Sequence, residues 1–71
     1  MIKSIKYTGT ELNKKNIKKF LNKCLHFYKN NQLLIPHTNG ILYLDISDYL
    51  IMEYDGSIKG ISKLKFQEIY R

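Results

Sequence analysis

Few of the 71 residues carry groups that catalysis could use, and their spacing argues against each use in turn. Cys24 is the single cysteine, and a thiol nucleophile needs a base within reach. It stands instead among Phe20, Leu21, Leu25 and Tyr28 at helical spacing, where a free cysteine acts as a small core hydrophobe. His26 and His37 are the only histidines, and no third ligand stands at the short spacing a metal site uses. Asp45, Asp48, Glu53 and Asp55 could surround a divalent cation. They lack the alternate-position ligands and closing glutamate of a calcium loop, so they read as a solvated turn region. There is no glycine-rich phosphate loop and no serine in a nucleophile elbow. The expectation is a protein that is not an enzyme, with no catalytic residue, no metal and no cofactor.

Charge carries more information. Residues 1–31 hold eight lysines against one acid, Glu11, a balance of +7; residues 32–71 hold four basic against five acidic residues, a balance of −1. One pole of the molecule is lysine and the other carboxylate, which favours an acidic or phosphate-bearing partner for the first half. The predicted binding face is Lys15, Lys18, Lys19, Lys23 and Lys29 with His26 near its middle. Six tyrosines suit either a core or an interface, and Tyr43, Tyr49, Ile51 and Tyr54 form a second predicted surface.

The elements that position these groups follow from periodicity. Ile2–Thr8 reads as a first strand, its lysines marking an edge, followed by a turn at Gly9. From Asn13 the period becomes helical: Ile17, Phe20, Leu21, Cys24, Leu25, Phe27 and Tyr28 share one arc and the lysines the opposite one. Asn13 is the expected N-cap, with Thr10 its rival and Leu12 and Ile17 as a hydrophobic staple; Asn30-Asn31 is the expected stop. Leu33–Ile35 then reads as a strand closed by Pro36, His37–Gly40 as a hairpin turn, Ile41–Ile46 and Tyr49–Tyr54 as strands, and Asp55-Gly56 as a two-residue type I′ turn into Ser57–Ile61. Ser62–Arg71 places Phe66 and Tyr70 four apart on a short closing helix turn, with a last strand as the alternative.

The sum is an α+β fold: one amphipathic helix on a small, mostly antiparallel sheet of four to five strands, in the order β-α-β-β-β-β with a terminal helical turn. It forms one domain over residues 1–71, since this length supports only one core. One cysteine excludes a disulfide-stapled scaffold and favours a reducing cytoplasm. The longest apolar runs, Ile41–Leu44 and Tyr49–Met52, are far too short to span a membrane, and no signal-peptide pattern is read. Tyr49–Met52 is apolar on both faces, so something must cover the back of the sheet: Phe66 and Tyr70, a second copy of the chain, or another protein.

Tyr7-Thr8-Gly9, Ile35-Pro36, Asp48-Tyr49-Leu50-Ile51, Gly56 and Phe66–Tyr70 occur in an order and spacing that resemble a group of small phage and prophage proteins. Those open with a strand ending in Tyr/Phe-Thr-Gly, continue with a helix and close with Gly-Asp-Tyr/Trp, an apolar hairpin and Phe-x-x-x-Tyr. Here Ser47 replaces the group's glycine, Leu64 stands where proline is common, and the helix is unusually basic. The resemblance implies a phage or mobile-element origin and the bacterial host cytoplasm as the place of action. The resulting expectation is an accessory protein that inhibits a host machine, a protein or ribonucleoprotein complex such as a CRISPR-type defence complex, in the manner of small anti-CRISPR proteins. The alternatives are sequence-tolerant nucleic-acid binding through the lysine face and a small homodimeric structural protein; no membrane partner is expected.

Overall fold

A computed structural model describes residues 3–37 and 40–70, Tyr70 by its backbone alone. The order is β1 (Lys3–Lys6), α1 (Glu11–Leu21), β2 (Phe27–Lys29), β3 (Gln32–His37), β4 (Gly40–Leu44), β5 (Tyr49–Met52), β6 (Ile58–Ile61) and α2 (Lys63–Tyr70). The strands form two three-stranded antiparallel sheets, a first in the order β1-β5-β6 and a second in the order β2-β3-β4. The α+β class holds, and β1 lies at an edge as its lysines suggest. Among the described residues, the expected single sheet of four to five strands becomes two sheets and six strands.

The extra strand comes out of the expected helix. Thr10 is the cap: its Oγ1 accepts the Asn13 N–H at 3.1 Å. Asn13 instead ties the helix to β1, its Oδ1 accepting the Thr8 N–H at 2.8 Å and its Nδ2 donating to the Lys6 carbonyl at 2.7 Å. Leu12 is exposed, so the expected staple is absent. The helix ends where Asn22 adopts φ 58° and its N–H closes on the Lys18 carbonyl at 2.9 Å. Beyond it the apolar residues alternate, with Phe27 turned out and Tyr28 turned in. Asn30 and Asn31, at φ 52° and 64°, supply the two positive-φ residues of a type I′ turn joining β2 to β3. Asparagine's tolerance of that region serves a hairpin here rather than a helix stop.

Two other turns also differ from expectation. The Glu53 carbonyl accepts the Gly56 N–H at 3.0 Å while the Glu53 N–H donates to the Ser57 carbonyl at 2.9 Å. Only Gly56 has positive φ, so Tyr54-Asp55-Gly56 is a three-residue loop with glycine at the left-handed position rather than a type I′ turn. Strand β3 runs through Pro36 to His37; β2 begins opposite Leu34, so Pro36 occupies an open flank where no ladder amide is needed. His37 pairs with Gly40, and the two expected turn residues between them lie outside the described residues.

Tyr7, Ile17, Leu21, Leu33, Ile35, Leu44 and Leu50 form one buried cluster drawn from α1 and both sheets. The sheets meet where β4 passes β6 at Gly60. On the outer side of the first sheet, α2 lays Phe66 flat on Tyr49, ring centroids 3.7 Å apart and planes within 6°. Ile51, on the same face two residues on, is fully buried. The two-sided apolar strand therefore receives its cover from the chain's own Phe66; the expected contribution of the Tyr70 ring lies outside the description.

Candidate binding surfaces

Helix α1 projects Lys15, Lys18 and Lys19 into solvent. With Leu12, Asn16 and Asn22 they line a shallow depression along the helix. No carboxylate enters this lining, and among the described residues none of the three lysines has an ion-pair partner. Glu11, the one acid of the first half, sits in the first helical turn, where it complements the helix dipole. The remaining members of the expected lysine face are redistributed by the early helix end. Lys23 follows α1 in the turn to β2, and Lys29 lies on β2.

His26 is half-buried rather than on the lysine face. Its Nδ1 lies 3.1 Å from the Cys24 carbonyl oxygen, and its ring meets Tyr28 edge-on at 5.9 Å. Cys24 packs against the core cluster, as its neighbours in sequence suggested. Tyr28 in turn lies over Tyr7, centroids 6.0 Å apart, and receives the Lys14 Nζ at 4.8 Å on its ring. Tyr7 donates its hydroxyl to the Asn31 carbonyl at 3.1 Å, whereas the buried Tyr28 hydroxyl has no hydrogen-bond partner. Burial pushes both phenols above their ordinary value, Tyr28 also through the charges of Tyr7 and Glu11.

The carboxylates serve turns. Asp48 accepts the Asp45 N–H at 2.9 Å, Asp45 accepts Gln32 Nε2 at 2.8 Å, and Glu53 pairs with Lys59 at 3.0 Å. Asp55 accepts the Ser57 N–H at 2.9 Å, and its hydrogen bonding with Ser57 holds it below the usual carboxylate range. Among the described residues no three His, Cys, Asp or Glu side chains come together in a way that could hold a metal ion.

Of the second predicted surface, Tyr49 is half-buried with its ring stacked on Phe66, and Ile51 is fully buried. Tyr43 is 56% exposed on β4 and Tyr54 77% exposed in the β5–β6 loop, on different sheets. What sequence reasoning missed is the outer face of the second sheet. Phe27, Leu34 and Tyr43 form one row across its three strands, flanked by Pro36 and Ile41. Phe27, Ile41 and Tyr43 are each more than 40% exposed. The signal was half available: Ile41, Tyr43 and Asp45 alternate with Leu42 and Leu44, but Phe27 could join them only once it left the helix. Among the described residues, no helix is long and apolar enough to cross a membrane. No protein-family model, curated protein or solved structure matches the chain.

Proposed function

We propose that the chain is a non-enzymatic accessory protein of phage or mobile-element kind that binds and inhibits a host nucleic-acid-guided complex of the CRISPR type. The observation that carries this reading is Lys15, Lys18 and Lys19 held exposed on one helix with no acid among them. A helix holds such charges at fixed spacing, so they meet an acidic or RNA-lined surface together and steer its approach.

The experiment is capture of host material from a bacterial lysate by the tagged chain, with and without nuclease, beside K15E/K18E/K19E. The reading expects one complex that survives nuclease and is lost with the charge reversal. Retention by the reversed variant, or capture of nothing, overturns it. The same helix face favours direct nucleic-acid binding as the second reading. Three lysine–phosphate contacts give a log-log salt slope of about −2.7 on duplex DNA, at roughly −0.9 per contact.

A further inference from the structure

We propose that the outer face of the second sheet is a self-association surface, which packs against the same face of a second copy about a twofold axis running along β3. This does not rest on the lysine face of α1 or on the function proposed for it.

The open face has a composition that matches itself. Leu34, buried at 7% exposure, lies at its centre on the middle strand, and the exposed rings are Phe27 beside it on β2 and Tyr43 beside it on β4. One row along, Lys29 stands opposite Gln32, whose amide is hydrogen-bonded to Asp45 at 2.8 Å. Lys29 thus marks the β2 flank and Asp45 the β4 flank of a single row. A twofold axis along the middle strand exchanges the two flanks when the faces meet. It sets the two buried Leu34 positions opposite each other, each exposed Phe27 over the other copy's exposed Tyr43, and each Lys29 over the other copy's Asp45. Apolar and aromatic groups meet their like, and each charge meets its opposite.

The same pattern selects against other occupants. One cation and one anion on a common row attract neither a polyanion nor a polycation, whereas a copy of the chain presents both signs in the required places. The face is three strands wide over the three residues of β2 and two strands wide beyond them, at most roughly 14 Å by 14–17 Å at a strand spacing of ~4.8 Å and a rise of ~3.4 Å. That is less than half the area of a standard stable interface, and each copy carries a net charge of +6. The association is therefore weak and concentration-dependent.

The test is sedimentation equilibrium of the full chain from about 10 μM to about 1 mM, the range expected for so small an interface. Salt is held near 20 mM so that the exposed charges are little screened. The native chain should pass from monomer to dimer within that range, and Tyr43→Ser should raise the dissociation constant at least tenfold. Lys29→Glu and Asp45→Lys should each lose self-association, because each sets like charges face to face twice. Mixed together, these two variants should form a heterodimer, since both cross pairs are again of opposite sign. Far-UV circular dichroism of each variant establishes that it is folded; for a variant that is not, Lys29→Asp and Asp45→Arg repeat the exchange. A native chain monomeric at every concentration, or a mixture no more associated than its components, overturns the proposal.

Discussion

Substituting Gly60 by alanine probes the contact that makes one core of two sheets. Gly60 lies on β6 opposite Leu50, where β6 passes β4. A methyl group there would stand 3.1 Å from Leu44 Cδ1, 3.2 Å from Leu44 Cγ and 3.4 Å from Leu42 Cδ1. Carbon atoms pack without repulsion at about 3.5–4.0 Å, so Leu44 must give way by several tenths of an ångström. Leu44 is fully buried, and its Cγ is one bond from the side chain's root, so a change of rotamer at its tip does not relieve the contact. Overpacking of this kind costs about 1–3 kcal/mol. Alanine also restricts the unfolded chain, which returns about 0.4–1 kcal/mol. The net expectation for Gly60→Ala is a loss of about 1 kcal/mol, a fall of roughly 4–8 °C in Tm for a domain of this size. Urea unfolding followed by circular dichroism measures it, with an unchanged m-value showing that the denatured state is not the cause. Leu44→Val in the same background should cost at least ~0.5 kcal/mol less than in the native protein, because the smaller side chain vacates the space that alanine fills. A Gly60→Ala variant as stable as the native chain, or strictly additive costs, would refute the close packing of β4 on β6.

Four further outcomes follow from particular residues. Ser47 adopts φ 86°; Ser47→Gly should stabilise the fold by about 0.5–1 kcal/mol in the same urea titration, by removing that strain. Tyr28→Phe removes a buried hydroxyl without a partner and should raise stability by about 1 kcal/mol at pH 7. Because Tyr7 and Tyr28 titrate higher folded than unfolded, the folded state holds more protons above pH 10, and stability falls as pH rises beyond 10; denaturation from pH 9 to 12 should show a shallower loss in Tyr28→Phe than in the native chain. Phe66→Ala removes the ring stacked on Tyr49 and uncovers the first sheet, costing about 3 kcal/mol and raising the binding of a hydrophobic dye.

The parts of the fold that were legible in the sequence are those where one local signal had one outcome. Short apolar runs bounded by turn residues gave Leu33–Ile35, Ile41–Ile46 and Tyr49–Tyr54 as strands, and the apolar pairing of Leu50 with Ile51 demanded cover on both faces. Phe66, four residues before Tyr70, supplied it. The segment from Asn22 to Asn31 was misread because Phe27 and Tyr28 continue the helical arc of Ile17, Phe20 and Leu21 by coincidence of spacing. Asn22 at φ 58° breaks the helix, and nothing in residue type separates that asparagine from Asn13 or Asn16. The candidate site inherits the same error. Lys15, Lys18 and Lys19 stayed on the helix, while Lys23, His26 and Lys29 left it with the chain. The open second-sheet face could not be assembled before Phe27 and Lys29 were known to lie on a strand.

The central claim is that the lysine face inhibits a host defence complex, and phage plating tests it most directly. Bacterial strains, each carrying one active CRISPR-type system against a chosen phage, would express the native chain or K15E/K18E/K19E, with non-immune strains as controls. In a strain whose complex is the target, the account predicts that the native chain raises the efficiency of plating at least tenfold, that the charge-reversed variant does not, and that non-immune cells show no difference. Plating unchanged by the native chain in every immune strain, or restored equally by the reversed variant, would contradict it.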